Sequence, residues 1–417
     1  MVFCCLIPIR YCQLSIELSD EENRNFSPLD VGWGFFNIAV LCLFKYFNFF
    51  SSTSSVFFPL GISFYTFQFI STLVETHKGK SEMISFLDFI LSVSFFPKLI
   101  QGPICDSYYL SSQFRNSDCS IVNWESISKG LFLFSIGLFK KVLIADKFAE
   151  IANTGFSSIP TLNTVTAFLS VLSYSLQIYF DFSGYSDMAI GIGYMFNVRL
   201  PVNFDSPYKA HSISDFWKRW HITLTKFLTK YVYIPLGGNR KGEVRTYLNI
   251  LIVFIISGIW HGVGITFLIW GAMHGIAMII ERKLGPILDR IPGFIRWLFT
   301  LVFVGFSWIF FRADSVADAL LMVKKILSFE KSGVGVFFSA ISIKSISFFV
   351  QSLPAKKLLN YIIVFLIPIC IILFCKNSNQ LTDSFKPSVK NSIITALLLC
   401  SSVISFSGIV TFVYAFF

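Results

Sequence analysis

Residues 248–280, LNILIVFIISGIWHGVGITFLIWGAMHGIAMII, form a run of 33 positions without a single Asp, Glu, Lys or Arg. An uncharged apolar stretch of this length belongs in hydrocarbon. As one helix it would rise about 50 Å at 1.5 Å per residue, well past the roughly 30 Å of a bilayer core. The run must therefore break, and Gly258, Gly262 and Gly264 mark the place. With the break there, His261 is expected at the end of a half-length helix of roughly 20 Å, an ionisable group inside the membrane depth.

The rest of the chain agrees with a membrane setting. Hydrophobic residues make up 54% of the 417 positions and charged ones 14%, which leaves too little polar surface to cover a soluble particle. Further apolar windows fall near 31–50, 56–74, 84–104, 129–145, 163–180, 184–198, 295–311, 359–375 and 392–416, with a weaker one near 335–350. Several are shorter than a perpendicular span, so the expectation is an all-α polytopic membrane protein. It would mix full spans, broken or re-entrant helices and interfacial amphipathic helices, with about nine to eleven crossings. Residues 1–30 read as a short polar and acidic segment without a cleavable signal, and 31–417 as one membrane domain. No internal repeat is visible, which argues against an inverted-repeat transporter.

The net charge is +10, and half of it sits between Asp205 and Arg245, where eight Lys or Arg face three acids. Basic loops between apolar segments read as the cytoplasmic side and as contact with lipid headgroups or phosphates. No nucleic-acid motif accompanies the charge, so nucleic acid is excluded as a partner. Within this interval Ile213 to Tyr231 fits one amphipathic, interface-lying helix. Trp217, Trp220, Leu224, Phe227, Leu228 and Tyr231 share an arc of about 100°, opposite Asp215, Lys218, Arg219, Lys226 and Lys230. Ser212 or Ser214 would cap it, Asp215 and Arg219 would pair across one turn, and Pro235 with Gly237 and Gly238 would end it. His221 lies at the border of the apolar arc, facing protein or membrane rather than bulk water.

Few side chains in the apolar segments can carry chemistry. His261 reads either as a neutral imidazole bracing the helix break or as a general base, since burial disfavours imidazolium and keeps a basic nitrogen free. His274, thirteen residues on, falls about 220° around a continuous helix from His261 and reads as a packing histidine. His77 and His211 read as loop residues. No two of the five histidines are spaced H-x-x-x-H, and the nine cysteines contain no C-x-x-C, so no metal site is expected. Asp181 and Asp187 lie in YFDFSGYSDMAIGIG among Gly184, Gly191 and Gly193, which allow close approach or unwinding. At that depth the carboxylates need partners, and an ion pair with the basic amphipathic segment is the simplest. Serine-hydrolase, phosphate-loop and H-x-x-x-x-D acyltransferase motifs are absent.

The segments DFSGYSDMAIGIG, FWKRWHITL at 216–224, YIPLGGNRKG at 233–242, SGIWHG at 257–262 and WGAMHG at 270–275 resemble the membrane-bound O-acyltransferase family. Within it they resemble the alginate O-acetyltransferase membrane subunit group. PLGISFYTFQ, SFFPKLIQGPI and WIFFRADS extend the similarity over about residues 30–330. The resemblance implies a funnel-shaped multi-helix enzyme in a bacterial cytoplasmic membrane that moves an acyl group from a thioester to a hydroxyl. It implies His261 as the essential histidine and His221 as a second, supporting one. Asp181, Asp187, Lys218, Arg219 and Asn249 become wall or donor-site residues. It further implies acetyl-CoA as co-substrate with no bound cofactor, and as acceptor a polysaccharide hydroxyl or an extracytoplasmic partner protein. Two departures stand out: the group has extra apolar helix where this chain has its acidic N-terminal segment, and Val263 and Gly264 replace a small residue and an aromatic after Trp-His-Gly. The competing readings are a D-alanyl transferase of teichoic acids fed by a carrier protein, a transporter with His261 and the two aspartates lining a path, and a catalytically silent scaffold.

Overall fold

The computed structural model describes residues 28–50, 61–78, 84–329, 357–406 and 412. The acidic N-terminal stretch before residue 28 and the weak apolar window at 335–350 lie outside the described residues. Among those described, every regular element is helical. They fall into two compact units, one of residues 28–131 and 189–202, the other of 132–188 and 203–406 with 412.

The first unit contains α1 (Pro28–Phe50), α2 (Ile62–His77), α3 (Phe86–Ser94) and α4 (Ser107–Phe114). Ser85 caps α3 through the amide of Asp88, and Asp106 caps α4 through that of Tyr108, each supplying an acceptor to a first-turn amide. Phe69, Ile84, Phe89 and Val93 pack into its core. The 84–104 window, expected to be a span, is instead the nine-residue α3 followed by a 3-10 turn at Phe96–Lys98. Lys98 explains the interruption: it is buried and donates to Gln68 Oε1, whose amide donates to Ser107 Oγ at 2.9 Å. His77 is the last residue of α2 rather than part of a loop.

Two helices contribute to both units. α5 (Trp124–Phe139) runs through a π-helical turn, Lys140–Ala145, into α6 (Asp146–Ser157). α7 (Thr164–Met195) is one 32-residue helix where the hydropathy suggested two windows. Its glycines serve close approach and do not unwind it. A Cβ on Gly184 would lie 2.8 Å from Gly137 O, and one on Gly137 would lie 2.5 Å from Gly184 O.

The second unit continues with α8 (Ile213–Arg219), α9 (Ile222–Leu228) and a π-helical turn, Thr229–Tyr233. Then come α10 (Glu243–His261), α11 (Ile265–Leu288), α12 (Gly293–Arg312) and α13 (Val316–Leu327). The described chain closes with α14 (Lys357–Phe374), α15 (Ser378–Asp383) and α16 (Val389–Ile404). The charge-free run does break at Gly262 to Gly264, and Gly264 adopts φ 152°, open to glycine alone. The break produces an antiparallel hairpin. Cβ atoms at Gly258 and Gly271 would each lie 2.3 Å from a backbone oxygen of the other helix, Phe267 O and Phe254 O. α10 starts at Glu243, before the apolar run, so its 19 residues rise about 28 Å. His261 therefore ends a full-length helix, not a half-length one.

Among the described residues four helices, α7, α10, α11 and α12, are long and apolar enough to cross a membrane. Shorter apolar helical stretches cover Gly34–Tyr46, Val364–Phe374 and Val389–Ile404. Nine to eleven crossings are thus not reached among the described residues, because several windows are cut short by polar turns or fused into one helix.

Candidate active site

The segment expected to lie along the membrane interface as one helix is two short helices that enter the protein. Its start is as expected: Ser212 accepts from the amide of Asp215 at 3.0 Å, and Arg219 Nε donates to Asp215 at 2.7 Å. The helix then stops at Trp220, and His221 takes φ 44°, a left-handed conformation that ends α8 and begins α9. Residues 203–205 satisfy the broken helix from the side. Asp205 N donates to Arg219 O at 2.9 Å, and Ile222 N to Asn203 O at 3.0 Å.

α8 runs antiparallel along α11. The amides of Ile213 and Ser214 donate to the Glu281 carboxylate, and Trp217 Nε1 donates to His274 Nδ1 at 3.2 Å. Trp220 packs on Trp308, with centroids 5.1 Å apart. The apex of the re-entrant turn carries His221 to the tip of the α10–α11 hairpin, where its ring centroid is 6.4 Å from that of His261. Both imidazoles are buried. Trp260, Trp270 and Phe311 stand edge-on around His261 at 4.7, 5.2 and 5.3 Å, and Phe182 stands edge-on to His221 at 4.7 Å. Trp270 is five residues into α11, so the pair lies inside the bundle rather than on its rim.

Hydrogen bonding separates the roles of two of the three buried histidines. Asn203 Oδ1 accepts from Thr223 N at 3.2 Å and from Thr223 Oγ1 at 2.9 Å, which fixes the amide's orientation. His221 Nδ1, 3.2 Å from the same oxygen, must then carry the proton. That leaves Nε2 as the bare nitrogen, buried and without a hydrogen-bond partner among the described residues. Burial lowers the His221 pKa to about 3, so the ring is neutral at physiological pH. His274 is the reverse case. An indole N–H only donates, so Nδ1 accepts from Trp217, and Nε2–H donates to Ser307 Oγ at 3.0 Å; Ser307 passes its own proton to Val304 O. With both nitrogens satisfied, His274 is the packing histidine expected. His211 is exposed, in the loop before α8, with Nδ1 3.0 Å from Gly293 O.

Asp181 and Asp187 do have charged partners, but not in the basic segment. Lys141 Nζ is 2.7 Å from Asp181 and 2.8 Å from Asp146, while Lys140 Nζ is 2.6 Å from Asp187, which also accepts from Ser378 Oγ at 2.8 Å. Both lysines come from the π-helical turn after α5. The aspartates thus hold α7 to that turn, and Phe182, beside Asp181, is the α7 residue that reaches His221. Lys218 is exposed on α8 and Arg219 is held by Asp215. Asn249 is buried and donates to Gly238 O at 2.9 Å, bracing the turn before α10.

Asn203, Lys140 and Lys141 were not singled out from the sequence. The adjacent lysines inside the 129–145 apolar window were a signal, since buried ammonium groups call for carboxylates. Nothing local marks Asn203. Among the described residues, no three His, Cys, Asp or Glu side chains gather where they could hold a metal.

The profile of the membrane-bound O-acyltransferase family matches residues 33–323. A peptidoglycan O-acetyltransferase of Helicobacter pylori is 44% identical over 328 residues, covering 69% of this chain and 62% of that protein. A probable alginate O-acetylase of Pseudomonas putida is 40% identical over 312 residues, covering 70% and 63%. A teichoic acid D-alanyltransferase of Streptococcus thermophilus is 26% identical over 252 residues, covering 55% and 58%. The chain spans a little over three fifths of the length of the first two relatives.

Proposed function

Because the chain belongs to the membrane-bound O-acyltransferase family, in the group that holds the alginate O-acetylases, we propose that it is an O-acetyltransferase of a bacterial cytoplasmic membrane. The donor is a thioester, acetyl-CoA, arriving from the basic side. The acceptor is a hydroxyl of an extracellular or cell-wall polysaccharide, reached directly or through an extracytoplasmic partner protein. The observation that carries this reading is the pairing of His221 and His261 at the meeting of two turns, with ring centroids 6.4 Å apart inside an aromatic shell.

In this mechanism the His261 imidazole removes the hydroxyl proton as the oxygen attacks the thioester carbonyl carbon. The carbon–sulfur bond then breaks, the leaving thiolate takes from the His261 imidazolium the proton that came from the hydroxyl, and thiol and acetyl ester leave without net proton change. The dry surroundings strengthen each polar contact to the developing charge. His221, kept neutral with Nε2 unprotonated, supports and orients the reacting groups beside the base. Lys218, Arg219 and the other cations of the 205–245 interval meet the phosphates of the donor; Asn249 supports that face, and Asp181 and Asp187 hold the α7 wall.

An acetyl donor is favoured over D-alanine by the 44% and 40% identities to acetyl transferases against 26% to a D-alanyl transferase. The test is label transfer by purified wild type and His261→Ala in lipid. Labelled acetyl-CoA or carrier-bound D-alanine is supplied, with membrane extract as source of acceptor and partner. Acetyl transfer by wild type, lowered about 10² to 10⁴-fold in the variant, is expected. Undiminished transfer by the variant would overturn His261 as base, and transfer of D-alanine alone would overturn the donor. No transfer by folded wild type would leave transport or scaffolding.

A further inference from the structure

The first unit contains a polar cleft of about 660 Å³ that plays no part in the histidine site. Its size is that of a small-molecule pocket. It lies where the start of α5 meets the end of α7, and its walls are tied together. Gln113 on α4 donates to Arg199 O at 3.2 Å and accepts from Arg199 N at 2.7 Å. Ser126 Oγ donates to Tyr194 O at 2.9 Å, and Asn123 caps α5 through the amide of Ser126.

Three charged side chains line this cleft: Glu125, Lys129 and Arg199. Glu125 and Lys129 stand one turn apart on α5, the spacing of a helix-surface ion pair. No ion pair joins them among the described residues; the Lys129 ammonium instead lies over the Tyr194 ring, 4.9 Å from its centroid. The cleft therefore presents a carboxylate and two cations side by side, each open to a ligand. Exposed apolar side chains adjoin the lining residues in the chain: Trp124, next to Glu125, is 75% exposed and Phe196, next to Asn197, 52%, with Val122 exposed beside Ile121, which itself lines the cleft. Large aromatic and aliphatic side chains bared next to charged ones, at the end of the long apolar helix α7, are the pattern of the zone between headgroups and acyl chains.

We infer that this cleft binds the headgroup of a phospholipid carrying phosphoethanolamine, with the phosphate on Lys129 and Arg199, the ammonium on Glu125, and the acyl chains leaving over Trp124 and Phe196. A purely anionic headgroup gains from the two cations but meets the Glu125 carboxylate. A choline headgroup offers the positive charge without an N–H to donate. Only the primary ammonium supplies both charge and hydrogen bonds to Glu125.

The test uses the full-length protein in detergent, with phosphatidylethanolamine, phosphatidylcholine or phosphatidylglycerol of identical chains, and in separate samples glycerophosphoethanolamine or inorganic phosphate. Bound lipid is read by native mass spectrometry, and the unfolding temperature of each variant confirms its fold. Wild type is expected to retain phosphatidylethanolamine about tenfold better than the other two lipids. Glu125→Gln removes the preference over phosphatidylglycerol, and Lys129→Gln with Arg199→Gln lowers retention of every phospholipid about tenfold. Equal retention of the three lipids by wild type, or no change in the folded variants, would overturn the site. Binding of glycerophosphoethanolamine or phosphate as tight as that of the lipid would overturn the lipid as its source.

Discussion

Asn203 Oδ1 accepts from His221 Nδ1 at 3.2 Å, and through that contact decides which nitrogen of a buried imidazole is left bare. The same oxygen holds the amide and hydroxyl of Thr223. Asn203→Leu removes the acceptor these three donors share and leaves His221 Nδ1–H buried without it, at about 1–3 kcal/mol. Acyl transfer falls with it, while Asn203→Asp, which keeps the acceptor, retains more of both. Thermal unfolding in lipid and turnover, measured on the two variants side by side, check this.

Protonation of His221 is opposed by burial, which lowers its pKa to about 3 against 6.5 in the unfolded chain. The folded state therefore binds fewer protons between these values, and stability is lost as pH falls below about 6.5. At pH 5 the loss is about 2 kcal/mol from this residue. Unfolding of wild type and His221→Gln compared between pH 7 and 5 should show a shallower pH slope in the variant. Parallel slopes would count against the neutral, buried ring.

The α10–α11 hairpin closes through glycines whose Cβ positions are already filled by backbone. Gly258→Ala or Gly271→Ala meets an oxygen at 2.3 Å, and the helices must part, at about 1–3 kcal/mol. Since His261 ends α10, transfer declines as well. Gly305→Ala on α12 meets no atom within 4 Å and is expected to leave stability unchanged within about 1 kcal/mol. Unfolding temperatures of the three variants make the comparison.

Lys140, partly buried, and Asp187, buried, form an ion pair 2.6 Å apart. Lys140→Met leaves the carboxylate with Ser378 alone and should cost about 3–5 kcal/mol. Lys140→Met combined with Asp187→Leu removes both charges and should recover most of that loss, a non-additivity that a double-mutant cycle measures directly. Additive losses would show that the pair is not the anchor of α7.

What the sequence made legible was local. The Ser212 cap, the Asp215–Arg219 pair and the break at Gly262 to Gly264 depend on residues within a turn or two of each other. The single helix expected over 213–231 failed because residues 203–205 supply hydrogen bonds to Arg219 O and Ile222 N, making a left-handed His221 affordable at a point that periodicity treats as continuous. The division of α7 into two windows failed for a related reason: Asp181 and Asp187 lower the local hydropathy, yet Lys141 and Lys140 neutralise them and the helix continues. His261 was recognisable as a charge-capable group in an uncharged run. Its neighbour His221, forty residues earlier, is brought to it by tertiary packing alone.

The meeting of the re-entrant turn with the hairpin tip also orders the protein's assembly. Residues 203–242 leave the ribosome before 243–281, and Phe182 of α7 is already there to meet His221, but Phe254, Trp270 and Trp308, which complete the walls around Trp217 and Trp220, belong to helices not yet made. The apolar hairpin, with its three-residue turn, enters the bilayer as a unit. The earlier segment, carrying Lys218, Arg219, Lys226 and Lys230, has to wait at the surface and dock afterwards. A nascent chain halted before α11 holds both histidines but lacks Trp270 and Phe311, so the shell around His261 closes only as the later helices are added.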